Sequence, residues 1–329
     1  MNELKKDVYI FKNGELKRKD NTILFESKGK KTYIPVEMVE RLHLFGKVSM
    51  NTDFLEITSK HKIIINFYNY YGFYIGSFIP RETKVSGYLT IKQSEKYLDS
   101  EERMYLATSF VDGAIFNMKR NIRKKKSYSQ FIKEIESLEK HIYQVNTIPN
   151  LMGVEGQIRN IYYTAFSYLI KNEEFNFEKR SKRPPLDPIN ALISFGNSMI
   201  YTAALAEIYK TNLNPTISYL HEPSEKRYSL ILDVTEIFKP LIIDPLILKL
   251  INNKILTLND FDIEEKFTYL NESGKKKFIT YYEEKMSSTV KHRKLNRNVS
   301  YRGLIRLEYY KLIRHIIDDQ IYKPLKPWW

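Results

Sequence analysis

Residues 219–240 read YLHEPSEKRYSLILDVTEIFKP, a stretch that switches within a few positions from a polar loop to a helical repeat. Leu230, Val234, Ile237, Phe238 and Leu241 recur at i, i+4, i+7, i+8 and i+11, the rhythm of a helix with one buried stripe. Asp233 and Glu236, three apart, share a face of that helix. His221 precedes Asp233 by 12 residues and Glu236 by 15, with EPSEKR between, a loop able to fold back and set the imidazole beside the acids.

The helical period extends outward from this stretch. Asp99-Ser100 caps a helix with Glu101 and Glu102 in its first turn and a stripe of Met104, Ala107, Val111, Ala114, Ile115, Met118 and Ile122. A second helix carries Phe131, Ile132, Ile135, Leu138 and Ile142, and a third runs from about Leu151 to Lys171. Asp187-Pro188, an N-cap followed by proline at the first helical position, announces a fourth. A last helix follows Ser300 with Leu304, Leu307, Ile313 and Ile317, and the tail KPLKPWW reads as extended and exposed. Before residue 86 the period is two: DVYIF, NTILFES, KTYIP, FLEIT, KIIINFY and YGFYIGSFI are strand-like runs punctuated by turns such as Asn13-Gly14. PVEMVERLHLFG is the exception, where Val36, Val39 and Leu42 predict a short helix, and residues 82–98 read as a connector. The expected fold is α+β, with a sandwich-like β-rich domain over residues 1–86 and a larger all-α domain over residues 87–329.

A chain of 329 residues with 43% hydrophobic content is able to bury a sizeable core. Its 53 Lys+Arg against 39 Asp+Glu give a net charge of +14, which favours a polyanionic partner. The absence of cysteine excludes a disulfide scaffold, a thiolate zinc site and a cysteine nucleophile, and fits a cytoplasmic protein. The N-terminus lacks signal-peptide features. PLIIDPLILKLI, the longest apolar stretch, is broken by Asp244 and Lys249, so no membrane span is expected.

A neutral imidazole with carboxylates is a ligand set for Mg²⁺ or Mn²⁺. For this segment alone the alternative is a loop histidine near a helix whose acids complement the macrodipole. In LMGVEGQIRNIYYTAF two glycines flank Glu155, each costing roughly 1 kcal/mol against alanine in a helix interior, which implies that another backbone or a ligand approaches there. The alternative for Glu155 is an i, i+4 pair with Arg159. Two basic clusters are candidate phosphate-binding tracts: Lys119, Arg120, Arg123, Lys124, Lys125 and Lys126; and Lys291, Arg293, Lys294, Arg297, Arg302 and Arg306, with His292 and Tyr301 interleaved.

The ordered strings GVEGQIRNIYY, DPINALISFGNSMIY, YLHEPSEKRYSLILDVTEIFKP and SYRGLIRLEYYKLIRHI closely resemble the CRISPR-associated integrase of the adaptation machinery, the family called Cas one, in the forms found in type I systems. The resemblance spans nearly the whole chain. It implies a catalytic triad of metal ligands at Glu155, His221 and Glu236, with Asp233 as an accessory acid, holding Mg²⁺ or Mn²⁺. It further implies a divalent-metal-dependent DNA endonuclease and integrase. Such an enzyme joins the 3′-hydroxyl ends of a captured DNA duplex to the CRISPR repeat array in spacer acquisition. The implied assembly is a homodimer, formed through the β-rich domain and bridged by the smaller adaptation protein, Cas two. Two other readings stay open: a non-catalytic DNA-binding subunit, and a nuclease acting mainly on branched or single-stranded DNA.

Overall fold

In the computed structural model, residues 5–80, 85–123, 128–223, 228–318 and 320–329 are described. The chain divides into two compact units, Met1–Thr83 and Lys84–Trp329.

The first unit contains β1 (Lys6–Ile10), β2 (Gly14–Lys19), β3 (Thr22–Ser27), β4 (Lys30–Pro35), β5 (Val39–Leu44), β6 (Val48–Met50), α1 (Thr52–Lys60), β7 (Ile64–Tyr68) and β8 (Tyr74–Phe78). One four-stranded sheet runs β1-β5-β7-β8 and the other β4-β3-β2-β6. A single apolar cluster draws on both, including Ile10, Leu42 and Ile65 from the first and Leu16, Ile23 and Phe25 from the second.

The helix expected over PVEMVERLHLFG is not formed. Val36–Met38 make one 3₁₀ turn and Val39–Leu44 then enter the sheet as β5, parallel to β1 on one side and β7 on the other. A central parallel strand is covered on both faces, so its residues lose the alternation that marks a half-buried strand. The run FLEIT, read as a strand, is instead part of α1: Asn51 caps it, accepting from the Phe54 amide, and Phe54 and Ile57 face the core.

The second unit holds α2 (Gly87–Leu98), α3 (Ser100–Ile122), α4 (Ser129–Glu139), α5 (Ile148–Ser167), α6 (Pro188–Ile208), α7 (Ser229–Phe238), α8 (Asp244–Asn252), β9 (Phe261–Glu264), β10 (Phe267–Leu270), α9 (Glu272–Ser287), β11 (Thr289–His292), β12 (Arg297–Ser300) and α10 (Tyr301–Asp318). It is mainly helical, interrupted by two antiparallel hairpins, β9-β10 and β11-β12. The expected caps are in place: Asp99 accepts from the amides of Glu101 and Glu102, and Asp187 from that of Asn190. Part of the stretch read as a connector is α2, capped by Ser86. α6 is long and apolar enough to cross a membrane, but 83% of that apolar window is buried within the protein, as in a core helix.

The tail is extended but not exposed. Tyr322 and Leu325 are buried, and Glu308, 1% exposed, accepts from the Tyr322 hydroxyl at 2.6 Å and the Leu325 amide at 3.1 Å. The end of the chain packs on the β11-β12 hairpin, where Trp328 meets His292 edge to face.

Candidate metal centre and nucleic-acid surface

α7 is an interior helix. Leu230, Val234, Ile237 and Phe238 are fully buried, which forces its two acids to be buried with them. Asp233 is 0% exposed. Its Oδ2 accepts from the backbone amides of Tyr219 at 2.7 Å and Leu220 at 3.0 Å. Its Oδ1 accepts from the His221 amide at 2.9 Å and pairs with the His221 imidazole at Nδ1, 2.8 Å away. A carboxylate is acceptor-only, so Nδ1 carries the hydrogen, and in the neutral ring Nε2 is the nitrogen left free to act as a ligand. The fold-back loop is therefore real, and Asp233 is its anchor. Ser224, Glu225, Lys226 and Arg227, the last four residues of EPSEKR, lie outside the described residues.

Glu236 occupies the neighbouring turn. Its Oε1 takes the Lys239 ammonium at 2.5 Å and its Oε2 takes Nη2 of Arg159 at 2.6 Å. Burial opposes its ionisation, but Lys239, Arg159 and His221 outweigh it and hold the carboxyl at about 2. Arg159 projects from α5, where its Nε donates to Oε1 of Glu155 at 2.5 Å and its Nη2 also contacts that oxygen. Burial disfavours the guanidinium charge, and Glu236 and Glu155 more than restore it. The i, i+4 pair anticipated for Glu155 thus exists, extended to an acid 77 positions further along the chain.

Just beyond Glu236 the helix widens into a π turn over Lys239–Ile243, with Pro240 and Pro245 withholding amide donors. Asn117 and Asn121 of α3 donate their side-chain amides to the Ile237 carbonyl at 3.1 Å and the Pro240 carbonyl at 2.8 Å, supplying what the helix lacks. Asn121 also donates to the hydroxyl of Tyr162 on α5, at 2.9 Å. α3 thereby ties α7 to α5, and with them the two acids.

The structure brings Glu155 and Glu236 to one guanidinium and His221 to Asp233. Among the described residues, no three His, Cys, Asp or Glu side chains are gathered as a formed metal cage. The donor types nonetheless suit a hard divalent cation: carboxylate oxygens from two helices, and an imidazole whose tautomer is fixed by a buried acid. Gly153 and Gly156 need their small size for no neighbour among the described residues, since a Cβ at either would meet none of them within 4 Å. The expected backbone packing is absent; the face of α5 beside Glu155 is open.

Sequence reasoning missed the cations. Lys239 was visible as the i+3 neighbour of Glu236, a spacing that brings two helical side chains together. Lys182 left no local signal. Its loop is stapled to α6 by Asn190, which accepts from Arg180 at 2.7 Å and donates to the Lys179 carbonyl at 2.8 Å. Burial lowers the Lys182 ammonium, and Arg180, Arg159 and Lys239 lower it further against the pull of Glu236.

The two basic clusters resolve differently. Lys119 is a buried ion pair with Glu139, Arg123 pairs with Glu136 at 3.0 Å, and Arg120 holds a main-chain oxygen of Trp329. Lys124, Lys125 and Lys126 lie outside the described residues. In the second cluster Arg302 pairs with Glu283 at 2.9 Å and Arg306 with Glu207 at 2.6 Å. Lys291, Arg293, Lys294 and Arg297 project exposed from the β11-β12 hairpin, with Arg293 over the Trp328 ring at 5.1 Å. Neutralising Arg293, Lys294 and Arg297 together is expected to weaken duplex DNA binding across sequences. It should also flatten the log–log salt slope by up to about 0.9 per lost phosphate contact. An unchanged slope in a salt titration would show that the hairpin does not meet DNA.

Comparison with known proteins identifies the family and the fold. Residues 8–284 match the family model described as CRISPR associated protein Cas1. The chain is 54% identical over 325 residues to "CRISPR-associated endonuclease Cas1 3" of Thermodesulfovibrio yellowstonii, covering 98% of this chain and 100% of that one. A solved CAS1 protein from Thermotoga maritima superposes with a TM-score of 0.88 at 40% identity, covering 96% of this chain and 99% of that one. A casposase bound to integration product shares the fold, with a TM-score of 0.85 at 18% identity over 98% of this chain and 93% of that one. Cysteine-free, basic, β-rich at one end and helical at the other, this chain belongs to the Cas1 family of CRISPR-associated proteins.

Proposed function

We propose that this chain is a divalent-metal-dependent DNA strand transferase that joins the 3′-hydroxyl ends of captured DNA into a CRISPR repeat array. Phosphodiester cleavage is the accompanying activity at the same centre. The observation that carries this reading is the placement of Glu155 and Glu236 against a single guanidinium nitrogen, Nη2 of Arg159, together with an imidazole that Asp233 orients.

Glu155, Glu236 and Nε2 of His221 are the groups that would hold Mg²⁺ or Mn²⁺. Bound there, the ion would polarise a phosphoryl oxygen and stabilise charge developing on it. The chain's own residues supply the rest. Asp233 holds His221 in the tautomer that presents Nε2 outward. Arg159, Lys239 and Lys182 set positive charge where a phosphodiester must approach. The open glycine face of α5 admits a DNA backbone next to Glu155. The attacking group is the DNA 3′-hydroxyl, so no protein nucleophile is required. Endonuclease is the activity that the Thermodesulfovibrio relative's name carries, and hydrolysis differs from joining only in that water replaces the 3′-hydroxyl.

The acting assembly is a homodimer through the β-rich unit, with the smaller adaptation protein as partner and DNA on the hairpin surface. The test is incubation of a labelled duplex bearing free 3′-hydroxyls with a supercoiled repeat plasmid and Mn²⁺, with and without that partner. Covalent joining is the expected product. Cleavage without joining under every condition would select the nuclease alternative.

A further inference from the structure

Nη2 of Arg159 is a single atom in contact with one oxygen from each of two carboxylates carried by different helices. The remaining oxygen of Glu236 is taken by Lys239. Two largely buried carboxylates this close repel, and without a cation between them one would take up a proton or move away. The local charge is then balanced: Glu155 and Glu236 against Arg159 and Lys239. A divalent ion entering this set contributes two charges, and the other acids nearest it among the described residues are already committed: Asp233 turns both its oxygens to the His221 loop, and Asp244, which burial pushes up to about 6, accepts from the Tyr162 hydroxyl. Lys182, within electrostatic reach of Glu236, and Arg180, within reach of Arg159, deepen the excess of positive charge.

We infer that Arg159 is the resident counter-cation of the metal site, displaced from between Glu155 and Glu236 when a divalent ion binds, and that this competition makes metal binding depend on DNA. The phosphodiester supplies the negative charge that the protein has withheld. By linkage, metal and DNA then raise each other's affinity by the same factor. Free protein binds the metal weakly and the DNA-bound protein binds it well, so the reactive centre assembles on substrate. The inference rests on the metal-site reading given above.

The test is a titration of the full chain with Mn²⁺, read by the electron paramagnetic resonance of free Mn²⁺, with and without a short duplex and with no plasmid target. Wild type is expected to gain at least about tenfold in Mn²⁺ affinity when the duplex is present, a change of about 1.4 kcal/mol. Arg159→Gln is expected to bind Mn²⁺ about tenfold more tightly than wild type without DNA, and to gain less from adding it. Arg159→Lys, which leaves one charge for the two acids, should shift the same way by less. It takes the place of the glutamine variant should that variant not fold. Glu236→Gln should lose the Mn²⁺ site in both conditions.

Equal or weaker Mn²⁺ binding by both Arg159 variants would overturn the competition. The absence of any DNA effect on wild type would overturn the coupling. If Glu236→Gln bound Mn²⁺ as wild type does, the ion would lie elsewhere and the metal-site reading would fall together with this inference.

Discussion

Glu236→Gln is expected to eliminate DNA joining at every Mn²⁺ concentration, and Glu155→Ala and His221→Ala to do the same while the chain stays folded. Glutamine matches glutamate in size and can still accept from Arg159, so the packing around α7 survives. The negative charge does not. With Glu236 neutral, Arg159 and Lys239 would face Glu155 alone, and a divalent cation would meet net repulsion where it met balance before. Stability should also fall, because Arg159 retains Glu155 but Lys239, whose side chain is only 18% exposed, loses the carboxylate it is paired with. His221→Ala removes a side chain that is about a quarter exposed, so its structural cost is small. Its loss from the metal set should abolish joining all the same. The measurements are the plasmid joining assay together with a thermal melt followed by circular dichroism. Full strand transfer by any of the three purified variants would sink the assignment of that residue.

What the sequence reveals of this molecule follows from how local the governing physics is. Asp99 and Asp187 are legible because a cap is made within three residues of itself. The α7 stripe is legible because burial on one side of a helix repeats every turn. β5 is hidden because neighbours on both edges and cover on both faces erase its period, leaving valine and leucine spacings that fit a helix equally well. The tail looks exposed because Glu308, the group that accepts its hydroxyl and amide, is a lone glutamate in the middle of an exposed-looking helix repeat.

The site divides in the same way. Glu155 with Arg159 and Glu236 with Lys239 are helical neighbours that sequence spacing can pair. The joining of those two pairs through Nη2 depends on the packing of α5 against the same α3 face that supports α7, which no local pattern encodes. The cationic lining of the site is what the +14 charge becomes once the acids have been used inside. Lys119, Arg302 and Arg306 are neutralised structurally, whereas the hairpin residues stand exposed to solvent and Lys182 lies within electrostatic reach of Glu236.

Asp233→Asn is expected to separate anchoring from ligation. Both oxygens of Asp233 are engaged, each accepting two hydrogen bonds, three from backbone amides and one from the imidazole. An asparagine carbonyl can serve one of these pairs, but its amide group turns N–H toward the other pair, donor against donor. Leaving buried donors without an acceptor costs about 1–3 kcal/mol each, so the melting temperature should fall clearly. Asp233→Ala, which removes every acceptor, should lose on the order of 3–5 kcal/mol. The expected activity of Asp233→Asn is reduced about 10- to 100-fold rather than abolished, because His221 remains present but unheld, and added Mn²⁺ should recover part of the loss by mass action. A merely destabilised enzyme assayed well below its melting temperature would show no such Mn²⁺ dependence. The comparison with Glu236→Gln decides the assignment. Should Asp233→Asn be dead at all Mn²⁺ concentrations and Glu236→Gln be rescued by the ion, the ligand would be Asp233, and the metal would sit one helical turn nearer the His221 loop.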